Sequence, residues 1–149
     1  MNKNPRQEKI LEIVQSRDVT TQEELTRLVR EAGFEATQAT CSRDIKKLGI
    51  IKITLPGGNT KYVALERSGD VTPGRLLSVF TNSLISVNDA MNIVVIKTLP
   101  GMAQAAASAL DSMHFADVVG TIAGDDTIFV ATAGIDEAKA LVTTLREMS

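Results

Sequence analysis

The order of elements between residues 5 and 65 constrains this chain most: three short amphipathic segments, the third of them basic, lead directly into a hairpin. In Pro5–Gln15 the apolar residues Ile10, Leu11, Ile13 and Val14 recur at helical spacing with charges between them. Thr21 followed by Glu24 is a capping-box pattern, and Leu25, Leu28 and Val29 carry a second helix towards Gly33. A third helix is expected from Thr37 to Gly49, with Cys41, Ile45 and Leu48 forming one stripe. Ile50–Leu55 and Thr60–Leu65 then flank Pro56-Gly57-Gly58-Asn59, which reads as a β-hairpin. Three helices followed by a hairpin is the order of a winged helix-turn-helix.

The polar stretch Glu66–Gly74 (ERSGDVTPG) lacks periodicity and reads as a linker. Beyond it a helix is expected over Arg75–Leu84, then strands over Ile85–Asn88 and Asn92–Thr98. Pro100-Gly101 opens an Ala-rich helix running to about Met113. Strands Val118–Ala123 and Thr127–Ala131 bracket the turn Gly124-Asp125-Asp126, and a last helix covers Asp136–Arg146. The αββαββα order implies an α+β layer. The fold class is therefore α+β: a winged helix-turn-helix (residues 1–66), a linker (67–74) and a small α/β sandwich-like domain with a mostly antiparallel sheet (75–149).

Charge divides at the same place. Residues 1–70 carry 12 Lys and Arg against 10 Asp and Glu, a net +2, whereas residues 71–149 carry 4 against 8, a net −4. Within Ala36–Val63 the basic side chains Arg43, Lys46, Lys47, Lys52 and Lys61 face only Asp44. Opposite blocks in one chain indicate two tasks. Composition removes several others. One cysteine and one histidine, His114, leave no disulfide framework, no cysteine-based metal site and little acid–base chemistry. No stretch approaches the ~18 apolar residues of a membrane span, and no export signal precedes the first helix. The expectation is a soluble, cytoplasmic protein that is not an enzyme, without a metal or a cofactor.

Steps of 100° from Cys41 put Arg43 at about 200°, opposite the buried stripe, with Ala39, Lys46 and Lys47 beside it and Ser42 at the edge. Taken alone, a basic helix face is usually solvated surface. Its place as the third helix before a hairpin makes it a candidate for the major groove, where Arg can take guanine O6 and N7 and Ser or Thr can serve bases or phosphates. The N-terminal part of such a helix reaches base edges, which selects Gln38, Thr40, Ser42 and Arg43. Lys46, Lys47 and, from the wing, Lys61 suit phosphates. Cys41 belongs to the apolar stripe and reads as a small buried residue rather than a redox sensor.

In the second half, adjacent Asp125 and Asp126 have an ordinary explanation as turn formers. Gln104 and Asp111, seven residues apart, share one face of the Ala-rich helix, whose Ala103, Ala105, Ala106, Ala107 and Ala109 permit close approach of a neighbour. Three carboxylates and an amide would suit a cationic ligand with many donors, such as a guanidinium or an α-ammonium. Mg²⁺ or Ca²⁺ is the rival occupant.

The segments Thr37–Ile45 (TQATCSRDI), Lys97–Gln104 (KTLPGMAQ) and Gly120–Thr127 (GTIAGDDT) resemble, in order and spacing, those of bacterial arginine repressors, and the likeness covers nearly the whole chain. The resemblance implies a C-terminal domain that assembles into a hexamer, a dimer of trimers, with L-arginine as corepressor between the trimers. It implies arginine-binding roles for Gln104, Asp111, Asp125 and Asp126 and base-reading roles for Ser42 and Arg43. Cys41 departs from the family, which more often has valine there, on a buried position. Some paralogues alter the acidic pair and respond differently to arginine; this chain keeps both Asp residues. The implied function is an arginine-responsive regulator that binds palindromic operator boxes in double-stranded DNA, represses arginine-biosynthesis genes and extends to activating arginine catabolism. The alternative is a winged-helix regulator that answers to a different amino acid.

Overall fold

Threonine hydroxyls start three of the helices. In the computed structural model, which describes residues 4–148, Thr21, Thr37 and Thr72 each accept a bond from the backbone N–H three residues on. They open α2 (Gln22–Glu31), α3 (Gln38–Leu48) and α4 (Pro73–Ser83). Asn4 does the same for α1 (Pro5–Ser16) and completes a capping box with Gln7. Helix α4 begins two residues earlier than the expected Arg75, because Pro73 at its first position supplies a helical φ and lacks only an N–H that has no partner there.

The first three helices bury Ile10, Ile13, Val14, Val19, Leu25, Val29, Cys41, Ile45 and Leu48 in one core. The hairpin β1 (Ile50–Thr54) and β2 (Thr60–Ala64) pairs antiparallel in the register Ile50↔Ala64 to Thr54↔Thr60. Its turn needs glycine, since Gly57 and Gly58 both sit at φ near +100°. Beyond α4 come β3 (Leu84–Ala90), β4 (Ile93–Thr98), α5 (Ala103–Ser112), β5 (Val118–Ala123), β6 (Thr127–Thr132) and α6 (Ile135–Met148). These strands make one antiparallel sheet in the order β3-β4-β6-β5. Helix α5 crosses from β4 to the edge strand β5, and the following hairpin lays β6 between them. Val87, Val94, Ile96, Ile128 and Val130 point to the helical side, where Phe80, Ala106, Leu110, Leu141 and Leu145 meet them. The α+β class, the antiparallel sheet and the order of the last seven elements are as the sequence implied.

The hairpin is used from both faces. Ile50 and Tyr62 belong to the core of the first three helices, whereas Ile51 packs in the core of the second half, flanked by Ile53 and Val63. Thr144 on α6 accepts the Thr54 backbone N–H at 2.8 Å. The end of α3 also abuts the start of α4, so that the negative end of one helix meets the positive end of the other. A Cβ at Gly74 would run into the Lys47 carbonyl oxygen, and one at Gly49, already at φ +70°, into Pro73.

Alanine at position 74 gains up to about 1 kcal/mol of helix propensity, while forcing backbone apart in a packed contact costs about 1–3 kcal/mol. The overpacking should win. Gly74→Ala is expected to lower the urea-unfolding free energy of the full chain, and a variant as stable as the original would show that α3 and α4 can separate at no cost.

Candidate functional site

Two sets of polar side chains stand out, one on α3 and one along α5 and the β5–β6 turn. The first is set by rotation. Cys41, Ile45 and Leu48 are buried, which turns Gln38, Ala39, Arg43, Lys46 and Lys47 to solvent and leaves Ser42 half-buried. Arg43 therefore sits opposite the core. Thr40 is partly committed: its backbone N–H and its hydroxyl both meet the Thr37 hydroxyl, at 3.1 and 2.9 Å. The backbone carbonyl of Gln38 accepts from Gln22 Nε2 at 2.7 Å, which ties α2 to the start of α3 and leaves the Gln38 side chain outward.

The basic residues divide between the two flanks of α3. Lys47 and Lys61 border one groove, together with Gln7, Leu11 and the β2 edge. Ser42 and Lys46 border another, with Lys52 of β1 and Glu147 at the end of α6. Burial raises the Tyr62 phenol in that second crevice above its ordinary value, and the charge of Glu147 adds to the effect.

Sequence reasoning passed over one feature of this face. Asp44, which appeared there only as the lone acid among bases, is buried and takes three hydrogen bonds from α1. Arg6 Nε donates to Oδ2 at 2.7 Å, Arg6 Nη2 to Oδ1 at 3.3 Å, and Gln7 Nε2 to Oδ1 at 3.0 Å. Burial works to raise the Asp44 carboxyl, but the bonds from Arg6 and Gln7 and the charges of Arg6 and Lys47 outweigh it and hold the group below the usual carboxylate range. The bond to Asp44 raises the Arg6 guanidinium in turn, against its own desolvation. The signal was available: three residues past Cys41, Asp44 lies about 60° from the apolar stripe, on its buried side.

The second set lies along one edge of the other half. Gln104 Nε2 donates to the Ala123 carbonyl at 2.9 Å, and Thr121 Oγ1 donates to Asp111 Oδ1 at 2.7 Å, so α5 is pinned alongside β5 at both ends. The turn is pinned as well: Ala103 N–H donates to the Asp125 carbonyl at 3.1 Å and Thr98 N–H to that of Asp126 at 2.8 Å. Lys97 Nζ donates to Thr127 Oγ1 at 2.7 Å, and Thr127 Oγ1 donates to Asp126 Oδ1 at 2.9 Å. Gln104 thus shares its end of α5 with the Asp125-Asp126 turn. Asp111 is seven residues on, about 10 Å along the helix axis, in a crevice with His114, Phe115 and Gly120. Gln104, Asp111, Asp125 and Asp126 are all exposed, and one chain does not enclose them in a common pocket. Among the described residues no group of three or more His, Cys, Asp or Glu is arranged to hold a metal ion, and no helix is long and apolar enough to cross a membrane.

The outer face of the sheet carries an exposed apolar strip. Ile122 is 73% exposed and Phe129 52%, and they are cross-strand partners, with Val95 next in line on β4. Val119, 75% exposed, adds to the same edge strand.

Comparison with known proteins divides the chain in the same way. Residues 1–70 match the family model described as arginine repressor, DNA binding domain, and residues 80–147 that described as arginine repressor, C-terminal domain. An arginine repressor of Caldicellulosiruptor saccharolyticus is 49% identical over 140 residues, 94% of this chain and 92% of its own length. Those of Clostridium novyi and Acetivibrio thermocellus are each 46% identical, over 96% and 99% of this chain and 95% and 96% of their own lengths.

The Asp44 carboxyl is lowered in the folded state, so its stabilising effect is complete above its unfolded value near pH 4 and disappears as pH falls through the folded value. Urea unfolding of the full chain from about pH 5 to about pH 2 should show a smaller loss of stability in Asp44→Asn than in the original. Parallel curves would mean that the carboxylate does not contribute.

Proposed function

The chain belongs to the arginine repressor family, a family of DNA-binding transcriptional regulators and not of enzymes, and we propose that L-arginine is its corepressor, bound at a seam between trimers of a hexamer. In this reading residues 1–66 bind DNA, 67–74 connect, and 75–149 bind arginine and assemble the particle. Base edges of palindromic operator boxes are read by Gln38, Thr40, Ser42 and Arg43, and phosphates are held by Lys46, Lys47 and Lys61. The arginine site consists of Gln104, Asp111, Asp125 and Asp126. The protein works in the cytoplasm, where it represses arginine-biosynthesis genes.

The observation that carries the proposal is the edge formed by α5 and the β5–β6 turn. Gln104, Asp111 and Asp126 are oriented by local side-chain bonds and Asp125 is held through its backbone carbonyl, yet all four are open on one side, next to a sheet face that exposes Ile122 and Phe129. A guanidinium has five donors in a planar fork and an α-ammonium three more, a good match for three carboxylates. A second chain over this edge would complete the enclosure and cover Ile122 and Phe129. Ligand bound only by the assembled state then stabilises assembly by mass action. Several winged helices on one particle engage several half-sites, and avidity multiplies a modest single-head affinity.

Sedimentation of the full chain with and without L-arginine, in the presence of an operator duplex, tests this reading. Arginine should shift the protein to the hexamer and tighten DNA binding, and Asp126→Asn should abolish that response while weak basal binding persists. A full response in Asp126→Asn would remove the acidic turn from the ligand site. On the DNA side, Arg43→Ala should cost roughly 1–3 kcal/mol of operator affinity with the fold intact, and an unchanged gel-shift titration would remove Arg43 from the reading face.

A further inference from the structure

We propose that Arg6 and Gln7, on α1, are positioning residues for base reading: through Asp44 they set the rotation of α3 and hence where Ser42 and Arg43 point. The inference rests on the assignment of the outer face of α3 as the reading face. Apolar packing through Cys41, Ile45 and Leu48 and the Gln22–Gln38 bond at its start hold α3 in place, but apolar contacts are non-directional and fix the rotation of the middle of the helix less sharply than side-chain bonds do. A turn of about 10° about the helix axis carries a side-chain tip ~6 Å from that axis through about 1 Å, more than the ~0.5 Å tolerance of a preorganised site. Directional bonds are what can hold that angle. The Asp44 carboxylate has them on both oxygens, from a two-nitrogen Arg6 fork and from Gln7.

The restraint is anchored at its other end. Gln7 Oε1 accepts the Asn4 N–H at 3.4 Å and Asn4 Oδ1 accepts the Gln7 N–H at 2.8 Å, so the amide that grips Asp44 is itself held in the cap of α1. The side chain of Asp44 is 7% exposed, and that of Arg6 28%. Pairing also cancels the one negative charge on α3, which would otherwise oppose phosphate approach beside Lys47.

The test uses the full chain, a duplex enriched in vitro by the unmodified protein, and a random duplex of equal length, below the melting temperature of every variant. Arg6→Met should reduce the preference for the enriched duplex about tenfold, in the range of one mismatched base pair, with random-duplex affinity within about twofold. Arg6→Lys keeps the charge beside Asp44, and so the fold, but lacks the planar fork; it should lose part of the preference and none of the random-duplex binding. An unchanged preference in folded Arg6→Lys and Arg6→Met would overturn the inference and leave a purely structural ion pair. Equal loss on both duplexes, with the salt slope reduced by about one, would overturn it in favour of a phosphate contact. Failure of the unmodified chain to enrich any sequence would instead overturn the base-reading assignment itself, and this inference with it.

Discussion

The strict alternation of side chains along the five residues of β1 is the constraint on which the rest of this molecule depends. Successive residues of a strand face opposite ways, so Ile50 and Ile51 enter different cores. One face of the hairpin closes the three-helix unit; the other is covered by α6, whose Thr144 also accepts the Thr54 N–H. A wing built this way cannot swing freely without uncovering apolar surface, at about 25 cal/mol per Å². The contact of α3 with the start of α4 has the same effect from another direction, because Gly49 and Gly74 let backbone approach backbone. The orientation of the basic helix is thereby linked to the half of the molecule that carries the acidic edge.

That acidic edge illustrates how polar groups can be oriented without being enclosed. Three of the four side chains are held by a neighbour: Gln104 by a β5 carbonyl, Asp111 by Thr121, Asp126 by Thr127. The bonds fix those rotamers while the open side remains in water, and in the proposed function the desolvation cost of gathering three carboxylates is met only when a cation and a neighbouring surface arrive. The apolar residues Ile122 and Phe129 lie within the same two strands. Polar side chains and exposed apolar surface thus share one edge of the sheet.

Asp44 shows a different economy. In the sequence it is an acid interrupting a basic run; in the fold it is the only charged residue buried among those described, and it is satisfied by α1. A buried carboxylate is tolerated when its oxygens are paired, and here the pairing also gives a helix–helix contact its angular definition.

Much of the architecture was legible in the sequence. Periodicity, caps and turn residues together located the six described helices and six strands, because burial repeats at 3.6 in one case and at 2 in the other and turns interrupt both. The outward position of Arg43 followed from the apolar stripe of Cys41, Ile45 and Leu48, and the likeness of three segments to arginine repressors named the family that the comparisons identify. Tertiary structure alone decided what depends on residues far apart in the chain. It brought Arg6 to Asp44 across 38 residues and Thr54 to Thr144 across 90, and it set Lys47 and Lys61 on a different flank of α3 from Ser42 and Lys46. The physical reason is that amphipathic pattern reports which face of an element is buried, a local property. Which partner buries it, and at what rotation, is fixed only when non-local surfaces meet.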